Sequence, residues 1–157
     1  MESCILQSPL GPLRLTISVK GLQRLEYVAA GSPLSKPVSD LAKQAGQQLM
    51  AYFEGDCRGF DLPFDLIGTY YQKQVWSELQ QLYFGQTLSY GELAEKIDSG
   101  ARAVGNACRS NPLLIIVPCH RVLRKDAVGG YSGQRDGIMM QRKLWLLQHE
   151  AETSQQS

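Results

Sequence analysis

The sequence predicts an α+β fold: a small N-terminal antiparallel sheet with one helix, then a mostly helical C-terminal half that holds a helix-turn-helix and a Pro118-Cys119-His120-Arg121 segment. Three observations predict it. Leu13, Leu15, Ile17 and Val19 alternate with Arg14, Thr16 and Ser18, the period-two pattern of a strand with one buried face. Leu41, Ala45, Leu49 and Phe53 recur every fourth residue, as one face of a helix does. Ser89-Tyr90-Gly91-Glu92 is an S-x-x-E capping box that opens the first of two short helical stretches. The 157 residues suffice for one large domain or two small ones, and 43% hydrophobic with 20% charged residues is a globular composition.

Taken in order, Ile5-Leu6-Gln7 reads as a strand before the turn Ser8-Pro9-Leu10-Gly11-Pro12. The alternating strand from Leu13 to Val19 follows, then the turn Lys20-Gly21 and a third strand from Leu22 to Val28. Residues 29–39 are rich in Pro, Gly and Ser and read as loop. The helix Asp40 to Glu54 stops at Gly55. The Gly-, Pro- and Asp-rich connector 55–69 holds the expected boundary, giving an N-terminal domain of structural role at 1–67 and a C-terminal domain at 68–157. The second half predicts helices from Tyr71 to Tyr83, ended by Gly85, from Tyr90 to Ile97, and from Ala101 to Arg109. The last two, joined by Asp98-Ser99-Gly100, form the helix-turn-helix pattern. Glu152 to Ser157 reads as a frayed polar tail.

Composition excludes several classes. The longest aliphatic run, Leu113 to Val117, is far short of the roughly 20 residues that span a bilayer, so no membrane role is expected. The first seven residues show neither a basic nor an apolar region of a signal peptide. Cys4, Cys57, Cys108 and Cys119 form no CxxC pair, and only His120 and His149 are histidines, so reduced thiols in a cytosol and no metal are expected. Net charge is +1, yet between Ser99 and Lys125 stand Arg102, Arg109, Arg121, Arg124 and Lys125 with no acidic residue. Such a stretch suits a polyanion, or is simply a solvated face.

Ala101-Arg102-Ala103-Val104-Gly105-Asn106-Ala107-Cys108-Arg109 is dominated by small residues, although Gly105 costs roughly 1 kcal/mol of helix propensity relative to Ala. Small side chains permit either tight helix packing or insertion into a narrow groove with arginine anchors. Ile115-Ile116-Val117-Pro118-Cys119-His120 reads as a buried strand that delivers a cysteine and a histidine. Cys119 is then a small hydrophobe or a nucleophile. On a regular strand His120 faces away from the sulfur, so a bridging water or a bend at Pro118 is needed for the pair to act together.

Pro118-Cys119-His120-Arg121-Val122 resembles the signature of the O6-alkylguanine-DNA alkyltransferases, the methylated-DNA–protein-cysteine methyltransferases. Gly68-Thr69, Tyr71-Gln72, Val75-Trp76, Ser89-Tyr90, Arg102-Ala103-Val104-Gly105, Asn111-Pro112, Gly130-Tyr131-Ser132-Gly133 and Trp145-Leu146-Leu147 with His149-Glu150 extend the resemblance over about residues 68–150. It implies that Cys119 accepts the alkyl group, that His120 acts through water as the base, that Glu150 orients His120 and that Asn111 braces the site. It implies that Tyr90 helps to turn the nucleotide out and that Arg102 fills the vacated place. Ala103, Gly105 and Arg109 would face the minor groove. Backbone groups at Val122 and Ser132 would read the extruded guanine beside Tyr131. The implied partner is double-stranded DNA with alkylated bases, O4-alkylthymine included, met by a cytoplasmic monomer without cofactor in a single-turnover reaction. Non-catalytic relatives that sense damage carry tryptophan at the nucleophile's place, where this chain has Cys119. Gln134 to Met140 is longer than the family's usual passage and reads as an insertion; Cys108 reads as packing.

Overall fold

The computed structural model describes residues 1–125, 128–134 and 137–155. The chain forms two compact units, Met1–Ile67 with Pro112–Leu114, and Gly68–Asn111 with Ile115–Ser157.

In the first unit β1 (Glu2–Leu6), β2 (Leu13–Ile17) and β3 (Leu22–Tyr27) form an antiparallel sheet in that order. Leu6 lies opposite Leu13, and Leu13 opposite Tyr27. Leu13, Leu15 and Ile17 are buried, as the alternation requires, but Val19 is 99% exposed. The strand ends two residues early because the Ser18 N–H donates to Gly21 O at 2.9 Å and closes a turn. Gly21 adopts φ +154 with the Pro63 carbonyl where a Cβ would sit, so the turn and not the period sets the strand's end. Along β3 the Leu25 N–H donates to Pro112 O at 2.8 Å, which brings Pro112–Leu114 into this unit. Helix α1 (Asp40–Glu54) starts at Ser39, whose side chain accepts from Ala42 N, and stops at Gly55 in the left-handed region. It buries Ala42, Ala45, Leu49, Tyr52 and Phe53.

In the second unit Thr69 and Gln72 form a capping box at the start of α2 (Tyr70–Leu79). Gly68 must stay small, since a Cβ there would meet the Trp76 ring at 2.5 Å. The helix stops at Leu79 and not at Tyr83: beyond it the Leu82 carbonyl accepts from Arg121 at 2.8 Å, and Gly85 turns the chain with φ +85. Strand β4 (Leu88–Ser89) leads into α3 (Tyr90–Lys96), where Ser89 and Glu92 complete the second capping box. Asp98 at φ +52 makes the turn into α4 (Ala101–Arg109). The Trp76 indole N–H donates to Ala107 O at 2.9 Å and fastens α4 to α2.

The expected strand before Cys119 does not form. Residues 114–116 form a turn and 117 a bend, all buried, and Ile115 has φ +74. The Val117 carbonyl accepts from the Asn111 amide and from Cys119 N, so it has no ladder to join. An apolar run signals burial, and burial alone does not specify pairing. One 3-10 turn (Cys119–Arg121) follows, then β5 (Val122–Leu123), which pairs in parallel with β4. Helix α5 (Gly137–Gln155) closes the chain. It carries Gly137–Met140 of the expected insertion, while Arg135 and Asp136 lie outside the described residues. The expected frayed tail is helical to Gln155, with Thr153 buried.

Candidate active site

Cys119 is placed by backbone geometry and not by a strand. Pro118 adopts φ −83, ψ 63, and the Cys119 N–H donates back to Val117 O at 2.8 Å, an inverse γ-turn. The Asn111 amide donates to the same carbonyl at 2.7 Å and braces the bend. The chain therefore bends at Pro118, one of the two arrangements that the adjacency of Cys119 and His120 calls for. Cys119 is 4% exposed. Burial pushes its thiol pKa up, and the Asn111 side chain and Lys143 pull against that rise.

Behind Cys119 lies a buried polar cluster. His120 Nε2 is 2.6 Å from Glu150 Oε2, with both side chains sealed from solvent. Arg121 grips the same carboxylate, donating from Nε to Oε1 at 2.8 Å and from the guanidinium end to Oε2 at 3.2 Å. Burial opposes the charge on Glu150, but His120 and Arg121 outweigh it and hold the carboxyl well below its ordinary range. Burial holds His120 below its ordinary pKa, against the pull of Glu150. The neutral imidazole therefore donates from Nε2 to the carboxylate and keeps its lone pair on Nδ1. Among the described residues, Nδ1 is the one buried side-chain polar atom without a hydrogen-bond partner. A base with its proton-accepting atom uncommitted results.

In front of Cys119 opens a cavity of about 680 Å³. Tyr90 starts α3 and forms one wall, with Arg102, Gly105, Cys108 and Arg109 of α4 beside it. Tyr131, Ser132 and Gly133 complete the lining from the tight turn Tyr131–Gln134, closed by N–H···O bonds of 2.8 and 3.0 Å in both directions. Ser132 and Gly133 take φ +50 and +83, as in a type I′ turn, which holds Ser132 at the rim above buried Tyr131. Gly133 is required there, because a Cβ would strike the Arg109 side chain at 2.5 Å. Burial, then Cys108 and Cys119, push the Tyr90 phenol up, so it stays protonated and able to donate. The lining carries Arg102, Arg109, Arg124 and Lys125 and no carboxylate among the described residues.

The structure thus gathers Cys119, Tyr90, Arg102, Gly105, Arg109, Tyr131 and Ser132 around one cavity. His120, Asn111 and Glu150 stand buried behind it. Ala103 is exposed on α4 outside the lining, and Val122 is buried outside it, its N–H bonded to Cys119 O. Two residues escaped the sequence reading. Arg121 was counted with a basic surface but is an internal counter-ion of Glu150. Lys143 has no role in the sequence reading and is fully buried; its spacing with Leu146, Glu150 and Thr153 on one helical face is the available signal. Among the described residues no group of three or more His, Cys, Asp and Glu could hold a metal.

The sequence profile of the 6-O-methylguanine DNA methyltransferase DNA binding domain matches residues 70–152. The chain is 36% identical over 155 residues to the methylated-DNA–protein-cysteine methyltransferase of Methanosarcina acetivorans, covering 94% of this chain and 98% of that one. It is 40% identical over 149 residues to the protein of that name from Mycobacterium tuberculosis, covering 91% and 89%. The crystal structure of Mycobacterium tuberculosis O6-methylguanine methyltransferase superimposes with a TM-score of 0.83 at 36% identity over 97% of this chain and 93% of that one. The Mycobacterium tuberculosis protein in complex with DNA gives 0.82 at 38% identity over 95% and 92%. The chain belongs to the O6-methylguanine DNA methyltransferase family.

Proposed function

We propose that this protein repairs DNA by moving the alkyl group of O6-alkylguanine onto its own Cys119, once per molecule. The observation that carries this reading is the uncommitted Nδ1 of His120, the residue next in sequence to a cysteine that lines the cavity, with Nε2 fixed on Glu150. His120 takes the Cys119 proton through a water, and Glu150 stabilises the imidazolium. The thiolate attacks the alkyl carbon; the S–C bond forms as the C–O6 bond breaks. The electron pair passes to guanine O6, and the Tyr90 hydroxyl donates to the leaving base. The thioether is stable, so the protein is consumed.

The alkyl carbon is out of reach inside a stacked duplex, so the nucleotide is flipped at a cost of a few kcal/mol. Arg102, exposed at the start of α4, occupies the gap. Ala101, Ala103 and Gly105 let α4 approach the minor groove, and Arg109 with Arg124 and Lys125 meets phosphates. The same cavity takes O4-alkylthymine. The protein works as a cytoplasmic monomer, its first domain in a structural role and residues 68–157 binding DNA.

The test is intact mass after incubation with a duplex that holds one O6-methylguanine, with Cys119→Ser alongside. The expected result is a gain of one CH₂ on the unmodified protein alone, mapped to Cys119 and ending at one equivalent. Tight binding to the damaged duplex without mass gain overturns the reading and makes the protein a damage sensor.

A further inference from the structure

We propose that Lys143 is a positioning residue for alkyl transfer: its buried ammonium fixes the backbone that follows Cys119 and supports the thiolate. The inference rests on the function proposed above and adds a residue to it. Lys143 is fully buried, and Nζ donates to Val122 O and to Gly130 O, each at 2.8 Å. These carbonyls bracket the segment between the 3-10 turn and the Tyr131–Gln134 turn, so one side chain ties together two stretches that line the cavity. Helix α5 thereby holds three consecutive residues. Glu150 takes the side chains of His120 and Arg121, and Lys143, two turns earlier on the same face, takes the backbone of Val122.

Charge balance gives the second argument. Arg121 and Glu150 neutralise each other. Lys143 is the remaining fully buried cation among the described residues, and its two bonds are to neutral carbonyls. Its charge is offset only when a neighbour ionises. The ionisable groups around it are Cys119 and His120 on the 3-10 turn and Cys108 on α4, with Glu150 and Arg121 beside His120. Burial pulls Lys143 down to about 8, while the cysteines act to raise it. Its charge in turn favours ionised Cys119 and disfavours protonated His120. Burial raises Tyr90 and Cys108 and lowers His120, so near pH 8 Lys143 is the group of this set that changes charge.

The experiment is single-turnover methyl transfer from an O6-methylguanine duplex between pH 6 and 10, with Lys143→Arg and Lys143→Met in the full chain and duplex affinity measured separately. Unmodified protein is expected to lose rate above about pH 8 as Lys143 deprotonates. Lys143→Arg is slower but keeps its rate into the alkaline range, because a guanidinium stays charged. Lys143→Met loses about 100-fold in rate at pH 7 and keeps its duplex affinity. A Lys143→Met rate within about threefold of unmodified protein overturns the proposal. So does an alkaline limb that Lys143→Arg retains or that unmodified protein lacks. If Lys143→Met does not fold, the Lys143→Arg profile decides alone. Failure of the unmodified protein to transfer at any pH instead sinks the alkyltransferase reading and is told apart by that result.

Discussion

Two faces of one site meet at Cys119, and they are built on opposite terms. On the α5 side Glu150 holds His120 and Arg121 through contacts of 2.6 to 3.2 Å, in a region closed to solvent. On the α4 side Arg102 and Arg109 are exposed and make no hydrogen bond or ion pair among the described residues. The buried face is organised before any substrate arrives, and each of its groups is expensive to disturb. The exposed cations contribute little to stability, which leaves them available to a polyanion. Chemistry and recognition are thus separable here by burial, and substitutions on the two faces should fail differently.

The largest effect is expected at Glu150. Glu150→Gln strands the Arg121 charge inside the protein and should cost about 3–5 kcal/mol of stability by urea unfolding. It also removes the group that stabilises an imidazolium, so methyl transfer should fall by at least about 100-fold. Acid sensitivity follows with a definite sign. Glu150 is held below its ordinary 4.5, so its contribution is present above that pH and is lost as pH falls through the folded value. His120 is held below its ordinary 6.5, so the unfolded chain takes up a proton first as pH falls below that value. Both make stability decline on acidification, starting near pH 6.5 and steepening below 4.5. A Glu150→Gln variant should lack the lower part of that decline. An unchanged acid profile would remove Glu150 from the buried cluster's energetics.

The second effect sharpens the other side. Arg102→Ala should leave thermal stability within about 0.5 kcal/mol, since an exposed side chain without partners is removed. Transfer from duplex DNA should fall by about 10- to 100-fold, whereas transfer from free O6-methylguanine base should not change. If both substrates suffer equally, Arg102 acts on the chemistry and the division between the faces fails there. If only affinity falls, with the salt slope smaller by about 1, Arg102 is a phosphate contact and not a wedge.

The two faces were unequally legible in the sequence. The capping box at Ser89–Glu92 is local chemistry and marks the start of α3, whereas α2, opened by Thr69 and Gln72, begins within a residue of its expected start but ends at Leu79, four residues short of Tyr83. The helix-turn-helix was readable for the same reason. Cys119 and His120 stood out by adjacency, but their geometry did not, because the run before them is buried turn and not strand. Sequence charge counts could not separate Arg121, 6% exposed and ion-paired, from exposed Arg109 seven positions after Arg102. Burial is a tertiary property, and a basic run carries no record of it. Glu150 came from resemblance, since nothing local marks one glutamate near the end of a helix as buried. Lys143 shows the reverse: two helical turns before Glu150, it had a periodic signal, but lysine's strong prior for solvent hid it.

The smallest expected effect probes why α4 is lined with small residues. A Cβ built on Gly105 meets only Tyr90 Cδ1, at 4.0 Å, an ordinary contact. The fold therefore gives no steric reason for glycine, and Gly105→Ala should stabilise the protein by roughly 1 kcal/mol through helix propensity. If α4 lies against a groove wall, the added methyl should weaken duplex binding by a few-fold, about 1 kcal/mol. Gain in stability paired with loss of affinity would show that this helix gives up folding energy for close approach to DNA. Gain without loss would place the groove-facing surface elsewhere on α4 and leave Arg102 and Arg109 as contacts at a greater distance, with the exposed face reading charge and not shape.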